Sequence, residues 1–170
     1  MRKQREDATR TRKNLLDAAG EVFAEKGYRD ATITAICRRA AANIAAVNYH
    51  FGSKEKLYVE TWRHTFLASL KAHDPDGGVA DSAPAEVRLR GKVTALLHRI
   101  ADEKNTEFLI VHRELANPTG LLNKMRRELL EPLRAKMETV VREVLGAAAS
   151  ERSEERRVGK ECRSRWSPYH

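Results

Sequence analysis

The sequence has few of the residues that mark secreted, membrane-spanning or metal-binding proteins. Among its 170 residues there are two cysteines, Cys37 and Cys162, too few and too far apart for a disulfide framework or a zinc knuckle. No run of about 18 apolar residues suggests a transmembrane helix. The basic N-terminus lacks the apolar stretch of a secretory signal. We therefore expect a cytoplasmic protein without a membrane partner.

Glycine and proline are also scarce, and no segment requires a β-strand. Apolar residues recur at the three- and four-residue spacing of amphipathic helices, which predicts an all-α chain. The first helix is expected from Ala8 to Lys26, with Gly27 ending it. Two short helices follow, capped by Thr32 and Asn43, and Ser53 caps a fourth.

The second half of the chain begins after a linker rich in turn-forming residues, 74–84. Pro84 precedes a helix whose buried face is predicted to carry Val87, Val93, Leu96, Leu97 and Ile100. Another helix runs from Glu107 to Ala116, with Phe108, Leu109, Val111 and Leu115 inside. Asn117 and Pro118 are expected to start the last long helix, with a bend near Pro132.

Sequence patterns that carry catalysis are missing as well. There is no Gly-x-Ser-x-Gly elbow, no phosphate-binding loop, no dinucleotide glycine pattern and no His-Glu-x-x-His. We therefore expect no enzymatic activity, no cofactor and no metal site.

Positive charge is concentrated at the start of the chain. The net charge is +8, of which residues 1–56 carry +5, residues 57–151 carry 0 and residues 152–170 carry +3. A basic first third on a neutral body is typical of a protein that meets a polyanion through that part. A small helical adaptor whose basic domain binds acidic proteins remains the alternative.

The second and third predicted helices, joined by a tight turn, form a helix-turn-helix unit. Such a unit inserts its second helix into the major groove of double-stranded DNA. Its core is expected to contain Ile33, Ile36, Ala40, Val47 and Phe51. The exposed surface of the third helix would carry Ile44, Ala45, Ala46, Asn48, Tyr49 and His50. Asparagine can pair with adenine, and alanine or isoleucine methyls can contact thymine.

Three segments carry a resemblance to a known family: Phe23-Ala24-Glu25-Lys26-Gly27-Tyr28, Ala31-Thr32-Ile33-Thr34-Ala35-Ile36-Cys37, and Val47-Asn48-Tyr49-His50-Phe51-Gly52-Ser53-Lys54-Glu55-Lys56-Leu57-Tyr58. Over about residues 10–60 the chain resembles the N-terminal domain of TetR-family transcription regulators. Residues 43–51 are most similar to the CecR (YbiH-like) subgroup, and residues 113–119 continue that similarity more weakly.

The resemblance implies a helix-turn-helix DNA-binding domain, 1–56, followed by a helical effector-binding and dimerisation domain, 57–151. It implies a homodimer on a palindromic operator, usually a repressor, released by a small-molecule effector. Activation stays open. The DNA-contacting positions would be Thr32, Thr34, Asn43, Ile44, Ala45, Ala46, Asn48, Tyr49, His50 and Lys54. The effector pocket would draw on Trp62, Phe66, Leu70, Leu96, His98, Phe108, His112 and Met125, although a stripe of such residues at helical spacing is first of all core packing.

Several assignments have structural alternatives. Tyr49 could pack against the first helix, His50 could be a half-buried structural residue, and Lys54 could be an ordinary solvated lysine. The basic residues before position 14 could form a disordered arm that reaches the minor groove, or a solvated terminus. Where the family often has glycine in the turn, this chain has Ala41, so the turn must form either without a glycine at positive φ or at a small conformational cost. Cys37 is expected to be an inert core residue.

The last segment, residues 152–170, lacks helical periodicity. It resembles a translated sequencing adapter, so we treat it as a probable non-native tail behind a C-terminally truncated domain. A natural basic tail is the alternative. With the tail excluded, Cys162, Trp166 and His170 are not functional candidates. The native full-length protein is then expected to dimerise and bind DNA better than the chain as written.

Overall fold

Seven helices account for most of residues 2–146, which are the residues that the computed structural model describes, with side chains from residue 5 onward. They are α1 (Arg2–Asp30), α2 (Ile33–Arg39), α3 (Ile44–Phe51), α4 (Lys54–Ala72), α5 (Ala85–Ala101), α6 (Thr106–Ala116) and α7 (Asn123–Leu145). No strand occurs between residues 2 and 146, and the all-α prediction is confirmed. The proposed tail and Cys162 lie outside the described residues.

Side-chain caps start the three helices after α1, as the sequence predicts. The Thr32 hydroxyl accepts a hydrogen bond from the amide of Ala35 at 3.1 Å. The Asn43 side-chain oxygen accepts from the amide of Ala45 at 2.8 Å, and the Ser53 hydroxyl accepts from the amide of Lys56 at 3.2 Å. Each cap satisfies an amide that the first helical turn leaves without a partner.

The first helix is longer than the sequence suggests, because it already begins at Arg2. A disordered N-terminal arm is therefore the wrong interpretation. Arg12 pairs with Glu60 at 3.0 Å, and Lys13 pairs with Asp17 at 2.7 Å. Gly27, with φ 73° and ψ 176°, interrupts the helix as predicted, and one further turn runs to Asp30.

A single cluster of buried side chains joins the helix-turn-helix unit to the helices behind it. From α1 it includes Leu15, Ala19, Val22 and Phe23, and from α4 it includes Leu57, Tyr58, Trp62 and Phe66. Ile36 and Cys37 of α2, Val47 and Phe51 of α3, and the distant Ile110, Leu122 and Met125 complete the cluster. Residues far along the chain therefore pack against the helix-turn-helix unit.

The predicted orientation of α5 is wrong. Its apolar stripe is exposed, with Leu97 at 58% of its full accessibility, and Val87, Val93, Leu96 and Ile100 are exposed too. The buried positions are Lys92, Ala95 and Arg99.

The buried side of α5 carries an ion pair instead of apolar residues. Arg99 and Glu107 are 6% and 2% exposed, and the guanidinium donates to both carboxylate oxygens at 2.7 Å. The Arg99 Nε also donates to the Ser69 hydroxyl at 2.7 Å, and the Phe66 ring lies 5.0 Å away. A charge that is fully paired and hydrogen-bonded can be buried, whereas an unpaired one cannot.

Two predictions for α6 and α7 are also wrong. Leu109 and Leu115 are exposed, and the buried positions of α6 are Glu107 and Ile110. Asn117 ends α6 by donating its amide to the carbonyl of Arg113 at 2.9 Å, so it does not start the last helix. The helix α7 begins at Asn123, and Pro132 lies within it.

The segment between α4 and α5 is a packed loop. The Asp74 carboxylate accepts hydrogen bonds from the amides of Asp76 at 3.0 Å and Gly78 at 3.1 Å. Lys92 of α5 pairs with Asp76. Gly77, at φ 65°, approaches Gly91 so closely that a Cβ at position 77 would lie 2.5 Å from the Gly91 carbonyl oxygen. The loop therefore rests directly on the α5 backbone.

Candidate DNA interface

The third helix presents one face to solvent and is held by the other. Val47 and Phe51 are buried, whereas Ile44, Ala45 and Asn48 are exposed. Ala46 is half-buried. This placement agrees with the division into core and surface positions predicted from the sequence, and it leaves small side chains and one amide free to approach a base edge.

Two aromatic residues mark the end of this face. Tyr49 is 80% exposed, so packing against α1 is the wrong interpretation of this residue. His50 is half-buried, with its ring 4.9 Å from that of Tyr49 and 6.1 Å from that of Phe51. Both the phosphate-contacting and the structural interpretations of His50 therefore stay open.

Lys54, the first residue of α4, is fixed in place by contacts with the end of α1. Its ammonium group donates to the carbonyl of Arg29 at 3.2 Å and lies 4.7 Å above the Tyr28 ring. The Tyr28 hydroxyl donates to the Glu55 carboxylate at 3.0 Å. Lys54 is thus held in position rather than freely solvated, and an ammonium group has further N–H donors for a phosphate.

The remaining candidates, Thr32, Thr34 and Asn43, are exposed at the starts of α2 and α3. Thr32 and Asn43 act as caps through their oxygens. The hydroxyl proton of Thr32 and the amide protons of Asn43 remain as donors toward an anion. Capping and phosphate contact are therefore compatible at these positions.

The turn between α2 and α3 contains backbone strain. Ala41 has φ 49°, the only positive φ of a non-glycine residue among residues 2–146. The left-handed region costs an alanine about 1–2 kcal/mol because its Cβ crowds the following carbonyl. The cost expected from the absence of glycine in this turn is therefore present.

Residues that sequence reasoning missed stand directly behind this interface. Tyr28 supports Lys54, and the Arg12 guanidinium lies 5.2 Å from the Phe51 ring at the end of α3. Tyr28 was visible only as a member of the family motif, and Arg12 only as one basic residue among several. Their roles depend on the packing of α1 against α3 and α4, which the sequence pattern does not reveal.

The proposed effector residues do not all lie together. Trp62, Phe66 and Met125 are buried, and the rings of Trp62 and Phe66 are stacked at 5.2 Å. Leu70 and Phe108 are half-buried, whereas Leu96, His98 and His112 are exposed. The buried part of the set is continuous with the core, and a ligand role for it stays a prediction.

Other kinds of site are absent from the described part of the chain. Between residues 2 and 146, no group of three or more His, Cys, Asp or Glu side chains could hold a metal ion. Over the same range, no helix combines the length and the apolar character needed to cross a membrane.

Comparison with known families assigns both parts of the chain. Residues 15–61 match the family described as "Bacterial regulatory proteins, tetR family". Residues 85–158 match "HTH-type transcriptional dual regulator CecR, C-terminal domain".

Similar proteins of known description are transcription regulators. The transcriptional repressor NicS of Pseudomonas putida is 39% identical over 67 residues, which cover 39% of this chain and 32% of NicS. The transcriptional dual regulator CecR of Shigella flexneri is 26% identical over 150 residues, which cover 82% of this chain and 67% of CecR. This chain therefore spans only about a third of the first relative and about two thirds of the second.

Solved structures share the fold. The TetR-family regulator PfmR from Thermus thermophilus superimposes with a TM-score of 0.60 at 22% identity, over 77% of this chain and 70% of PfmR. Its similarity supports the same order of helices, with a helix-turn-helix unit at the N-terminus.

Proposed function

We propose that this chain, which matches the tetR family of bacterial regulatory proteins over residues 15–61 and the CecR C-terminal domain over residues 85–158, is a DNA-binding transcription regulator of that family that acts in the cytoplasm. The observation that carries this proposal is the outward face of α3. Ile44, Ala45 and Asn48 are exposed on a helix whose other face is locked into the core. A helix fixed in this way can enter the major groove without first reorganising.

In the proposed mechanism, a homodimer places two copies of α3 in successive major grooves of a palindromic operator. Repression is the proposed outcome, as the name of NicS states for that protein, whereas the name of CecR describes a dual regulator. A small-molecule effector would bind among the helices behind the DNA-reading unit. It would stabilise a conformation in which the two copies of α3 no longer match the groove spacing.

The contacts would divide between bases and phosphates. Ile44, Ala45, Ala46 and Asn48 would read base edges. Thr32, Thr34, Asn43, Tyr49, His50 and Lys54 would hold the DNA backbone and set the register of the helix. Along α3, the apolar and small residues Ile44, Ala45 and Ala46 come first, and the polar residues Asn48, Tyr49 and His50 follow.

Selection of duplexes from a random-sequence library tests the proposal. The recovered sequences are expected to contain two inverted half-sites whose centres lie about 10 base pairs, or a multiple of this, apart. Salt-dependent binding without any preferred sequence would contradict direct readout and favour binding to acidic partners instead.

Lys54 provides a second test. Lys54→Ala should weaken binding to every duplex by a similar factor and reduce the slope of log affinity against log salt by about one, because one phosphate contact is lost. Lys71→Ala, an exposed lysine at the other end of α4, is the matched control and should leave the slope unchanged. A change in base preference with an unchanged slope would show that the role of Lys54 is misassigned.

A further inference from the structure

The end of α6 is joined to the end of α1 by one arginine. Arg113 donates from Nε to the carbonyl of Ala24 at 3.3 Å and from Nη2 to the carbonyl of Glu25 at 2.8 Å. Gly27, whose φ and ψ are not helical, follows immediately, so the guanidinium binds where α1 is interrupted. A positive charge at this point also complements the negative end of the helix dipole.

The next residue joins α6 to α4. One oxygen of Glu114 accepts a hydrogen bond from the Tyr58 hydroxyl at 3.0 Å. The other oxygen accepts from the amides of Thr119 at 2.9 Å and Gly120 at 3.1 Å. Burial and the nearby Glu114 carboxylate raise the pKa of Tyr58, so the phenol keeps its proton and remains a donor. Arg113 and Glu114, which are adjacent in α6, therefore bind two different helices, α1 and α4.

Both connections lead to Lys54. The Tyr58 ring lies 5.0 Å from the Tyr28 ring, and the Lys54 ammonium lies 4.7 Å above Tyr28. On the α1 side, the turn that follows Gly27 supplies the Arg29 carbonyl to which Lys54 donates. The position of the Lys54 ammonium group is thus defined by the end of α1 and by α4, and α6 contacts both of these elements.

We infer that Arg113 and Glu114 are positioning residues through which α6 sets the place of the Lys54 ammonium group and hence the affinity of the chain for DNA. The inference rests on the proposed function, because the contact between Lys54 and a phosphate is part of that proposal. It names Arg113 and Glu114 as the residues through which a change in the position of α6 would change the affinity for DNA. Arg113 would act through the turn of α1, and Glu114 through Tyr58.

A double-mutant cycle tests the inference, with a fluorescein-labelled duplex recovered by selection with the unmodified full chain. Arg113→Ala should weaken binding about tenfold, as expected for the loss of charge-assisted hydrogen bonds that fix a contacting group. In a Lys54→Ala background the same change should weaken binding less than about twofold, because the group that it positions is gone. Arg127→Ala, an exposed arginine of α7, is the control and should have no effect in either background.

Tyr58→Phe provides a second cycle that keeps the buried ring and removes only the hydroxyl bonded to Glu114. It should weaken binding about threefold alone and have no effect in the Lys54→Ala background. If Arg113→Ala does not fold, this variant carries the test. Equal losses with and without Lys54, or no loss in the unmodified background, would overturn the inference while leaving the proposed function intact.

Amide hydrogen exchange supplies a readout that does not need DNA. Arg113→Ala should speed exchange in peptides covering residues 24–31 and 54–58 and leave the middle of α1 unchanged. Exchange that rises throughout α1, or nowhere, would overturn the inference. A chain that selects no duplex would refute the proposed function, and the exchange pattern would then decide whether α6 positions Lys54 at all.

Discussion

Ala41 adopts a left-handed conformation because the chain must change direction between α2 and α3 within a few residues. Ala41→Gly should raise the free energy of unfolding by about 0.5–1 kcal/mol, since relief of steric strain exceeds the entropy that glycine loses on folding. Urea denaturation measures the change. Ala42→Gly, beside it but without a positive φ, is the control and should lower stability. Equal effects of the two changes would show that Ala41 is not strained.

Asn48 is the exposed amide on the side of α3 that is proposed to face the DNA groove. Asn48→Ala should relax the base preference at one position of each half-site and cost about 1–3 kcal/mol of discrimination there. Because the side chain is exposed and has no capping role, thermal stability should stay nearly constant. Repeating the duplex selection with the variant checks this. An unchanged sequence preference would show that Asn48 does not read a base.

At the scale of elements, the loop before α5 is held by close backbone contact. Gly77 and Gly78 both have positive φ, 65° and 69°, but only position 77 faces another backbone. Gly78→Ala should cost about 1 kcal/mol of stability through φ alone. Gly77→Ala should cost about 1–3 kcal/mol more, since its Cβ would overlap with Gly91. Urea denaturation of the pair gives the comparison, and equal losses would mean that the loop does not rest on α5.

The sequence predicted helix starts well where a local side chain determines them. Thr32, Asn43 and Ser53 each cap the helix that follows, within two or three residues of their partner amides. Gly27 also interrupts α1 where expected, although one further turn follows it. Most residues proposed for the DNA interface are exposed, as expected. They lie on or beside α2 and α3, which are short, amphipathic and closely connected.

The orientation of the later helices could not be predicted in this way. Periodicity identifies an apolar stripe on α5, but it does not show which side of the helix meets the rest of the protein. The buried side carries Arg99, which pairs with Glu107 of the next helix and lies over the rings of Phe66 and Phe108, and periodicity does not reveal such distant partners. Asn117 was misassigned because an asparagine beside a proline suits either end of a helix.

At the scale of the whole molecule, the division at residue 56 proposed from the sequence separates two proposed roles, DNA binding and effector binding. It does not separate two hydrophobic cores. Leu57, Tyr58, Trp62 and Phe66 lie in the same core as Phe23. Each large side chain contributes about 1.5–3 kcal/mol on burial. Their joint loss is comparable with the total stability of a domain, about 5–15 kcal/mol.

A fragment of residues 1–56 is therefore expected to lack a cooperative thermal transition, whereas the full chain should show one. Circular dichroism at increasing temperature measures both. A sharp transition in the fragment would show that the DNA-reading unit does not need α4 and α6 for its stability.

Cys37 offers a different use of this shared core. Its side chain is 4% exposed on the inner face of α2, and burial raises the pKa of its thiol. A thiol reagent can reach it only when α2 separates from α1, so the labelling rate measures how often that opening occurs. Once Cys162 is replaced by serine, the chain carries its own reporter of how often the helix-turn-helix unit opens, at a buried position of α2.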